Sequence, residues 1–310
     1  MRIKVMQNLY SQELNEGLSV MGVQKNIKKS VEEVHHLYLL YFFVMNKVVE
    51  HILIDQQKRI RKYRPSKADQ TIDTRITKNA FCRFLKENDA YKSAVKTAKL
   101  HTLVDNSLVI SLHKAWVKSD AYLNYTAKMT HTPKDDKQIL AHLCKKIMPS
   151  NDLFISLLED HFVNFIDDEM MIITSVAKQI HAFNAKNAAL YSIFPKNQQM
   201  AEKNRFALEL AFKTHKHNAD FVELIEPQLK NWELERITRI DMILIKMSLC
   251  ELLYFPSIPI KVSINEYIDI AKMYSTPKSK DFINGILDKI MKKLQKEGRI
   301  HKEGRGLLGN

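Results

Sequence analysis

Glycine and proline are scarce in this sequence, with 7 and 8 residues among 310. Folds rich in β-sheet need frequent tight turns, and these two residues form such turns most readily. The scarcity therefore favours long helices over many short strands. It also leaves little glycine for loops that hold phosphate groups, and the motifs GxGxxG, GxxxxGK[ST], HExxH and GxSxG are absent.

Cysteine is equally sparse. The chain has only Cys82, Cys144 and Cys250, and no CxxC pair. An odd number without paired spacing argues against a disulfide framework and against a structural zinc site. The pattern is typical of a reducing compartment.

Histidines and acidic residues do not form a ligand pattern either. His215 and His217 are two residues apart and would point to different faces of a helix, and His35 and His36 are adjacent. The acidic run 167–169 is better explained by a helix N-terminus, which favours negative charge. We therefore expect no metal, no cofactor and no catalytic residue.

Long hydrophobic runs are also missing. Residues 1–10 contain no apolar block of the signal-peptide type, and the most apolar stretch, 37–49, is interrupted by Asn46 and Lys47. That stretch is too short to span a bilayer as a helix. We expect a cytoplasmic protein that does not associate with membranes.

The charge that is present is mainly positive. The net charge is +13, and the basic excess lies outside residues 151–230. Lysine and arginine can bind phosphate backbones and release condensed counterions. By itself this balance fits a nucleic-acid-binding protein and an ordinary soluble basic protein equally well.

Helical periodicity is clearest in the last third of the chain. A long helix is also predicted from about Ser30, which with Glu33 has the spacing of a capping box, to about Tyr63. Ser263 and Glu266 predict a second capping box, with Val262 and Tyr267 as its hydrophobic staple. Apolar stripes at three- and four-residue steps predict helices over 235–254 and from about Pro277, with Thr276 as a possible N-cap of the second. The stripes are Ile237, Ile240, Leu244 and Met247 in the first helix and Phe282, Ile286, Ile290 and Leu294 in the second.

Three ordered motifs lie in the same region. They are NWELERITRID at 231–241, IPIKVSINE at 258–266 and FINGILD at 282–288. Glu251-Leu252-Leu253, Ala271-Lys272 and Ser279 lie between them. A single short match would be noise, but the set follows one order and spacing. This region resembles the C-terminal helical subdomain of the NusB family, and residues 206–230 resemble its preceding helix more weakly. RIKVMQNLY at 2–10 resembles its first helix.

The resemblance implies an all-α, NusB-like fold of two subdomains with a large helical insertion. Residues 1–20 would supply the first core helix and 21–200 the insertion. Residues 201–298 would form the NusB-like helical domain, and 299–310 a flexible basic tail.

The resemblance also implies a function. The protein would bind single-stranded, boxA-like RNA together with NusE, a ribosomal small-subunit protein, within an RNA polymerase antitermination complex that transcribes ribosomal RNA. Asp241 matches an acidic family position associated with NusE and is expected on the surface at a helix N-terminus. The RNA-binding residues would lie on the first helix and at the start of the last, at Arg2, Lys4, Gln7, Tyr10, Lys278, Lys280, Phe282 and Asn284.

The residue chemistry agrees with this assignment without requiring it. Arg2 and Lys4 can contact phosphates, Gln7 and Asn284 can hydrogen-bond base edges, and aromatic rings can stack on bases. Tyr10 and Phe282 also sit on apolar stripes, so core packing would explain them equally well. Asp241 has an equally plausible alternative as a solvated helix-terminal acid.

One departure and two rival functions remain. NusB proteins carry an arginine-rich arm before the first helix, whereas Met1 directly precedes Arg2 here. Either the start lies upstream, or the insertion and the basic tail supply that charge.

A NusB-like domain also serves as the RNA-binding module of ribosomal RNA cytosine methyltransferases, but their glycine-rich α/β domain is not visible. The third alternative is a helical scaffold without RNA binding.

Overall fold

The structure is a computed structural model that describes residues 1–15, 20–66, 69, 72–194, 197–231 and 237–307. Within these ranges the regular structure is helical and contains no strand, so the all-α prediction is confirmed. The α-helices are α1 (Arg2–Leu14), α2 (Val20–Ile60), α3 (Ala80–Glu87), α4 (Asp89–Thr97), α5 (Leu100–Leu103), α6 (Asn106–Val117), α7 (Asp120–Thr126), α8 (Pro133–His142), α9 (Asp152–His161), α10 (Phe165–Ala182), α11 (Asn197–Lys216), α12 (Asn218–Ile225), α13 (Arg239–Tyr254), α14 (Ile260–Tyr274) and α15 (Ser279–Lys296).

The chain forms two compact units. The first, called the terminal unit, combines Met1–Val31 with Pro195–Asn310, and the second, called the central unit, is Glu32–Phe194. Each has its own apolar core. The terminal unit is therefore assembled from both ends of the chain.

Short polar residues begin the helices of the central unit. The side chain of Asn79 accepts from the backbone N–H of Phe81 and Cys82 at the start of α3, and Asn88 does the same for Tyr91 in α4. Thr132 and Asp135 form a complete capping box at α8. These caps satisfy backbone donors that the first helical turn leaves without partners.

The middle of α2 is the centre of the central core. Leu39, Leu40, Tyr41 and Phe42 are each fully buried, as are Val44 and Met45. A helix buried on every side needs apolar residues all around, which accounts for the apolar run at 37–49. Met21–Ile60 is long and apolar enough to cross a membrane, but 72% of its most apolar window is buried inside the protein, as in the core helix of a soluble protein.

The terminal unit packs α1 and α11–α15 around a second core. The predicted stripe of α15 is confirmed, because Phe282, Ile286, Ile290 and Leu294 are all buried. The stripe of α13 is confirmed at Leu244 and Met247, which are fully buried, while Ile237 and Ile240 are half-buried.

Two predicted helix starts are wrong. Helix α2 begins at Val20, so Ser30 and Glu33 lie within it and not at its start. Helix α14 begins at Ile260 after Pro259, one turn before the predicted box of Ser263 and Glu266. Pro259 fixes an extended backbone before the helix and makes an early start favourable.

The basic tail contacts the terminal unit through Lys302, Glu303 and Gly306. Lys302 Nζ donates to the carbonyl oxygens of Glu251 and Phe255, at 3.1 and 3.0 Å, and the Glu303 N–H donates to Pro256 O at 3.0 Å. A Cβ at Gly306 would lie 1.9 Å from Pro256 O, so only glycine fits there. Residues 308–310 of the predicted tail lie outside the described residues.

Candidate nucleic-acid interface

Arg2, the first residue of α1, is held in a largely buried ion-pair network. Its Nε and Nη2 donate to the two carboxylate oxygens of Glu251 at 2.6 and 2.9 Å, and its Nη1 donates to Glu266 at 3.1 Å. The guanidinium also lies over the rings of Phe206 and Tyr267. Each guanidinium nitrogen is thus engaged within the protein, which leaves Arg2 poorly placed to bind a phosphate.

The electrostatics of this network are those of a matched buried pair. Burial alone would lower the pKa of the Arg2 guanidinium, but the hydrogen bonds and charge of Glu251 outweigh it and raise that pKa above its usual value. Burial, followed by the charge of Glu251, raises the pKa of the Tyr267 hydroxyl well above 10. The Tyr267 and Ser263 hydroxyls therefore both donate to the Glu251 carboxylate.

The remaining candidates on α1 are also partly or fully covered. Lys4 is 4% exposed, while Gln7 and Tyr10 are half-buried. Tyr10 packs against the core of the terminal unit. The α1 candidates thus contribute mainly to packing, and their exposed portions are small.

The start of α15 presents a different picture. Lys278, Lys280 and Asn284 are exposed, and Lys280 and Asn284 are four residues apart on one helix face. Phe282 is only 6% exposed and belongs to the apolar core. Its burial favours the core alternative, because a ring that stacks on a base needs a free face.

Asp241 lies within a buried hydroxyl cluster, not on the surface expected for it. It is 1% exposed and forms a capping box with Thr238 at the start of α13. Its carboxylate accepts from Ser275 Oγ at 2.7 Å and from Ser279 Oγ at 3.0 Å. Asp241 therefore ties the start of α13 to the segment that leads into α15.

The predicted RNA-binding residues of α1 and those at the start of α15 lie in the same unit. Helices α1 and α15 both pack against α13. Sequence reasoning missed the partners that position these helices, chiefly Glu251, Glu266 and Tyr267. One signal was available, because Glu251 lies among apolar residues of an amphipathic helix, and a buried carboxylate needs a cation or several donors. Residues 232–236 of the motif lie outside the described residues.

Metal-type groupings are absent from the part of the chain that the structure describes. No three His, Cys, Asp or Glu side chains there are placed to hold a metal ion. The polar features of the terminal unit are accordingly ion pairs and hydroxyl networks, with basic and amide groups exposed at the start of α15.

The terminal unit is therefore an all-helical unit built from both ends of the chain, with exposed lysines at the start of α15. Residues 170–292 of this chain match the NusB family. The match takes in α11–α14 and most of α15, and it begins within α10. The resemblance found in the sequence is confirmed for this region.

Curated relatives share the name transcription antitermination protein NusB. The chain is 47% identical to the one from Salinibacter ruber over 104 residues, which cover 34% of this chain and 65% of the relative. It is 51% identical to the one from Chloroherpeton thalassium over 78 residues, 25% of this chain and 37% of the relative. For Finegoldia magna the identity is 42% over 88 residues, 28% of this chain and 64% of the relative.

The chain thus spans a little under two thirds of the length of two of these relatives and about a third of the length of the other. No solved structure matches the chain.

Proposed function

We propose that this protein is a transcription antitermination factor that binds single-stranded, boxA-like RNA and does no chemistry. The single observation that carries the proposal is the match of residues 170–292 to the NusB family, whose relatives bear the antitermination name. The exposed Lys278, Lys280 and Asn284 support it physically, because they place two positive charges and one amide at one helix start. The cytoplasm is the compartment in which such a factor would work.

The RNA surface we propose is centred on α15. Lys278 and Lys280 would contact phosphates, and Asn284 would reach a base edge. Arg2 and Phe282 would act indirectly, since both are committed to the core that holds α1 and α15. Gln7 and Tyr10 would contribute through their exposed edges, whereas Lys4, which is buried, would act through packing.

The partner we propose is NusE, which would dock on the C-terminal helices of the terminal unit within an antitermination complex with RNA polymerase. Asp241 would shape that surface by fixing the start of α13, because its carboxylate is buried. A partner could not touch it without displacing the hydroxyls of Ser275 and Ser279.

A helical scaffold without RNA binding is the second candidate. It is favoured by one observation, namely that Arg2, Lys4 and Phe282 have structural contacts or burial that explain them fully. The RNA-binding module of a ribosomal RNA methyltransferase is less favoured, since the described ranges contain no strand from which an α/β domain could be built.

A binding titration separates the two main candidates. The full chain is titrated with boxA-like RNA and with a scrambled RNA of equal length, with and without NusE, over a range of salt concentrations. We expect tighter binding to boxA-like RNA and a further gain with NusE. Equal, weak and purely salt-dependent binding to both RNAs would favour the scaffold.

A further inference from the structure

The central unit contains an open cavity of about 290 Å³, lined by residues of α2, α3 and α4 together with His101 of α5. From α2, the residues Phe43, Asn46, Lys47 and Glu50 line it at steps of three and four, which places them on one helix face. Residues 43–101 lie outside the region that matches the NusB family. The cavity therefore shares no residue with the proposed RNA surface.

Two buried polar side chains line the cavity without a protein partner. Asn46 is 6% exposed and Tyr91 is 4% exposed, and neither Asn46 Oδ1 nor the Tyr91 hydroxyl has a hydrogen-bond partner. Buried polar groups are normally satisfied, because leaving one unpaired costs folding free energy. Both atoms have almost no solvent-accessible surface, so a polar ligand in the cavity would satisfy this acceptor and this donor only after the side chains around them shift. Burial also raises the pKa of the Tyr91 hydroxyl, which keeps it protonated and able to donate.

The charged groups around the cavity are mainly positive. Lys47, Lys86, Lys92 and Lys96 line it, against Glu50 as the single lining carboxylate, and Lys92 is paired with Asp89 at 2.6 Å. Glu50 is already shared by Lys86 at 3.1 Å and Lys47 at 3.5 Å. Lys96 has no ion pair within the described ranges. The lining therefore has an excess of positive charge that suits an anion.

The remaining walls are apolar, from Phe43, Leu85 and Val95. An inorganic anion would use the lysines but not these walls. A volume of about 290 Å³ is at the lower end of small-molecule sites, which are roughly 300–1,000 Å³. Lysine binds phosphate as a point charge and does not require the paired geometry that carboxylates offer arginine.

We propose that this cavity binds a small phosphate ester of about mononucleotide size. The phosphate lies among the lysines, the organic part lies against the apolar wall, and hydroxyl or amine groups of the ligand pair with Asn46 and Tyr91. The central unit thereby gains a ligand site that is independent of RNA binding by the terminal unit.

Calorimetric titration of the full chain tests the site. The probes are AMP, UMP and glucose 6-phosphate, with adenosine and inorganic phosphate as the two partial ligands. We expect at least one ester to bind with a Kd below about 1 mM, and more tightly than either partial ligand. If no ester binds, or if inorganic phosphate binds as tightly as every ester, the proposal is overturned.

Two variants locate the binding. Tyr91→Phe removes only a hydroxyl that has no partner, so it should leave the urea midpoint unchanged or raised while weakening ester binding about tenfold. Lys96→Gln should weaken binding several-fold, with the larger effect at low salt. Lys114→Gln, at an exposed position of α6 that does not line the cavity, is the matched charge control and should change nothing.

These variants also guard against a structural explanation. A loss of affinity in Tyr91→Phe at undiminished stability cannot come from misfolding. Ester binding that survives both Tyr91→Phe and Lys96→Gln lies elsewhere on the protein and overturns the assignment. Esters are titrated in the absence of RNA, so failure here is distinct from failure of the antitermination proposal.

Discussion

Arg2 and Glu251 form a bidentate ion pair although 249 positions separate them in the sequence, with Nε–Oε1 at 2.6 Å and Nη2–Oε2 at 2.9 Å. The Glu251 side chain is fully buried, and that of Arg2 is 17% exposed. The pair connects α1 to α13, so it joins the beginning of the chain to its last third. The N-terminal helix is thereby fixed in the terminal unit by charge as well as by apolar packing.

The first prediction concerns this pair. Arg2→Met leaves the Glu251 carboxylate buried without its cation, and breaking a buried pair in this way typically costs about 3–5 kcal/mol. We expect a loss of that size in the free energy of unfolding, measured by urea denaturation. The double variant Arg2→Met/Glu251→Gln should lose less than the sum of the two single losses, because no charge is left buried.

Strict additivity in that cycle would show that the two side chains do not interact. RNA affinity provides a second readout. If Arg2→Met keeps its stability yet loses RNA affinity, Arg2 contacts RNA and the structural role is contradicted.

Phe282 gives the second prediction. Because the ring is buried in the apolar core, Phe282→Ala should lower the free energy of unfolding by about 3–5 kcal/mol. Phe282→Leu retains most of the apolar volume and should cost less, with RNA affinity unchanged in the folded protein. A stable Phe282→Leu protein with RNA affinity reduced by one or two decades, as loss of base stacking would produce, would restore Phe282 to the RNA surface.

Asp241 gives the third prediction. Its carboxylate accepts from Ser275, Ser279 and the backbone N–H of Thr238, so Asp241→Asn should cost about 1–3 kcal/mol through the donors left unpaired. Asp241→Lys places an unpaired charge in the same buried cluster and should be much more destabilising. The exposed Asp281 is the control, since Asp281→Asn should cost less than about 1 kcal/mol. A stable Asp241→Lys protein that fails only to bind NusE would place the residue at the interface.

Much of the fold followed from local pattern. The stripe of Phe282, Ile286, Ile290 and Leu294 predicted the buried face of α15 because helical periodicity is a local property. The start of α14 was not predictable in the same way. Ser263 and Glu266 have capping-box spacing, but both side chains are engaged elsewhere, with Ser263 donating to Glu251 and Glu266 accepting from Arg2. These tertiary hydrogen bonds join residues distant in sequence, so the capping-box spacing could not reveal them, and the helix begins earlier, after Pro259.

The residue types of the candidate site could be predicted from the sequence, but the exposure of each side chain could not always be. The sequence indicated basic and amide groups at the start of α15, and Lys278, Lys280 and Asn284 are exposed there. Arg2 and Asp241 were expected on the surface because the family resemblance places them at contacts with RNA and with NusE. Their partners come from elements distant in sequence, so the burial of both residues depended on the assembled fold.

The fourth prediction is a pH dependence from Lys302. Burial lowers the pKa of this ammonium to about 8, although the charge of Glu251 acts in the opposite direction. The folded pKa lies below the unfolded one, so between about pH 8 and 10.5 the unfolded chain binds more protons. The cost of burying the charge is fully present below about pH 8 and is relieved as the pH rises.

Urea denaturation of the wild type and Lys302→Met across this range isolates the effect from other titrating groups. We expect the free energy of unfolding of the wild type to rise relative to the variant between the two pKa values. A constant difference, or one that falls with pH, would show that Lys302 remains an ordinary exposed lysine.

The last prediction concerns Lys280 and which face of α15 contacts RNA. Lys280 and Lys289 are both exposed, and nine residues at about 100° each place them on opposite faces of the helix. Lys280→Gln should weaken binding to all single-stranded RNAs and make the dependence of log K on log salt shallower by about 0.7, the value for one phosphate contact. Lys289→Gln removes the same charge from the other face and should leave the slope unchanged.

Equal effects from the two variants would mean that only the net charge of the protein attracts RNA. A slope change confined to Lys289→Gln would place the RNA on the opposite face. Because both substitutions are at exposed positions, their effect on the free energy of unfolding should stay within about 0.5 kcal/mol, so a change in slope reports binding alone.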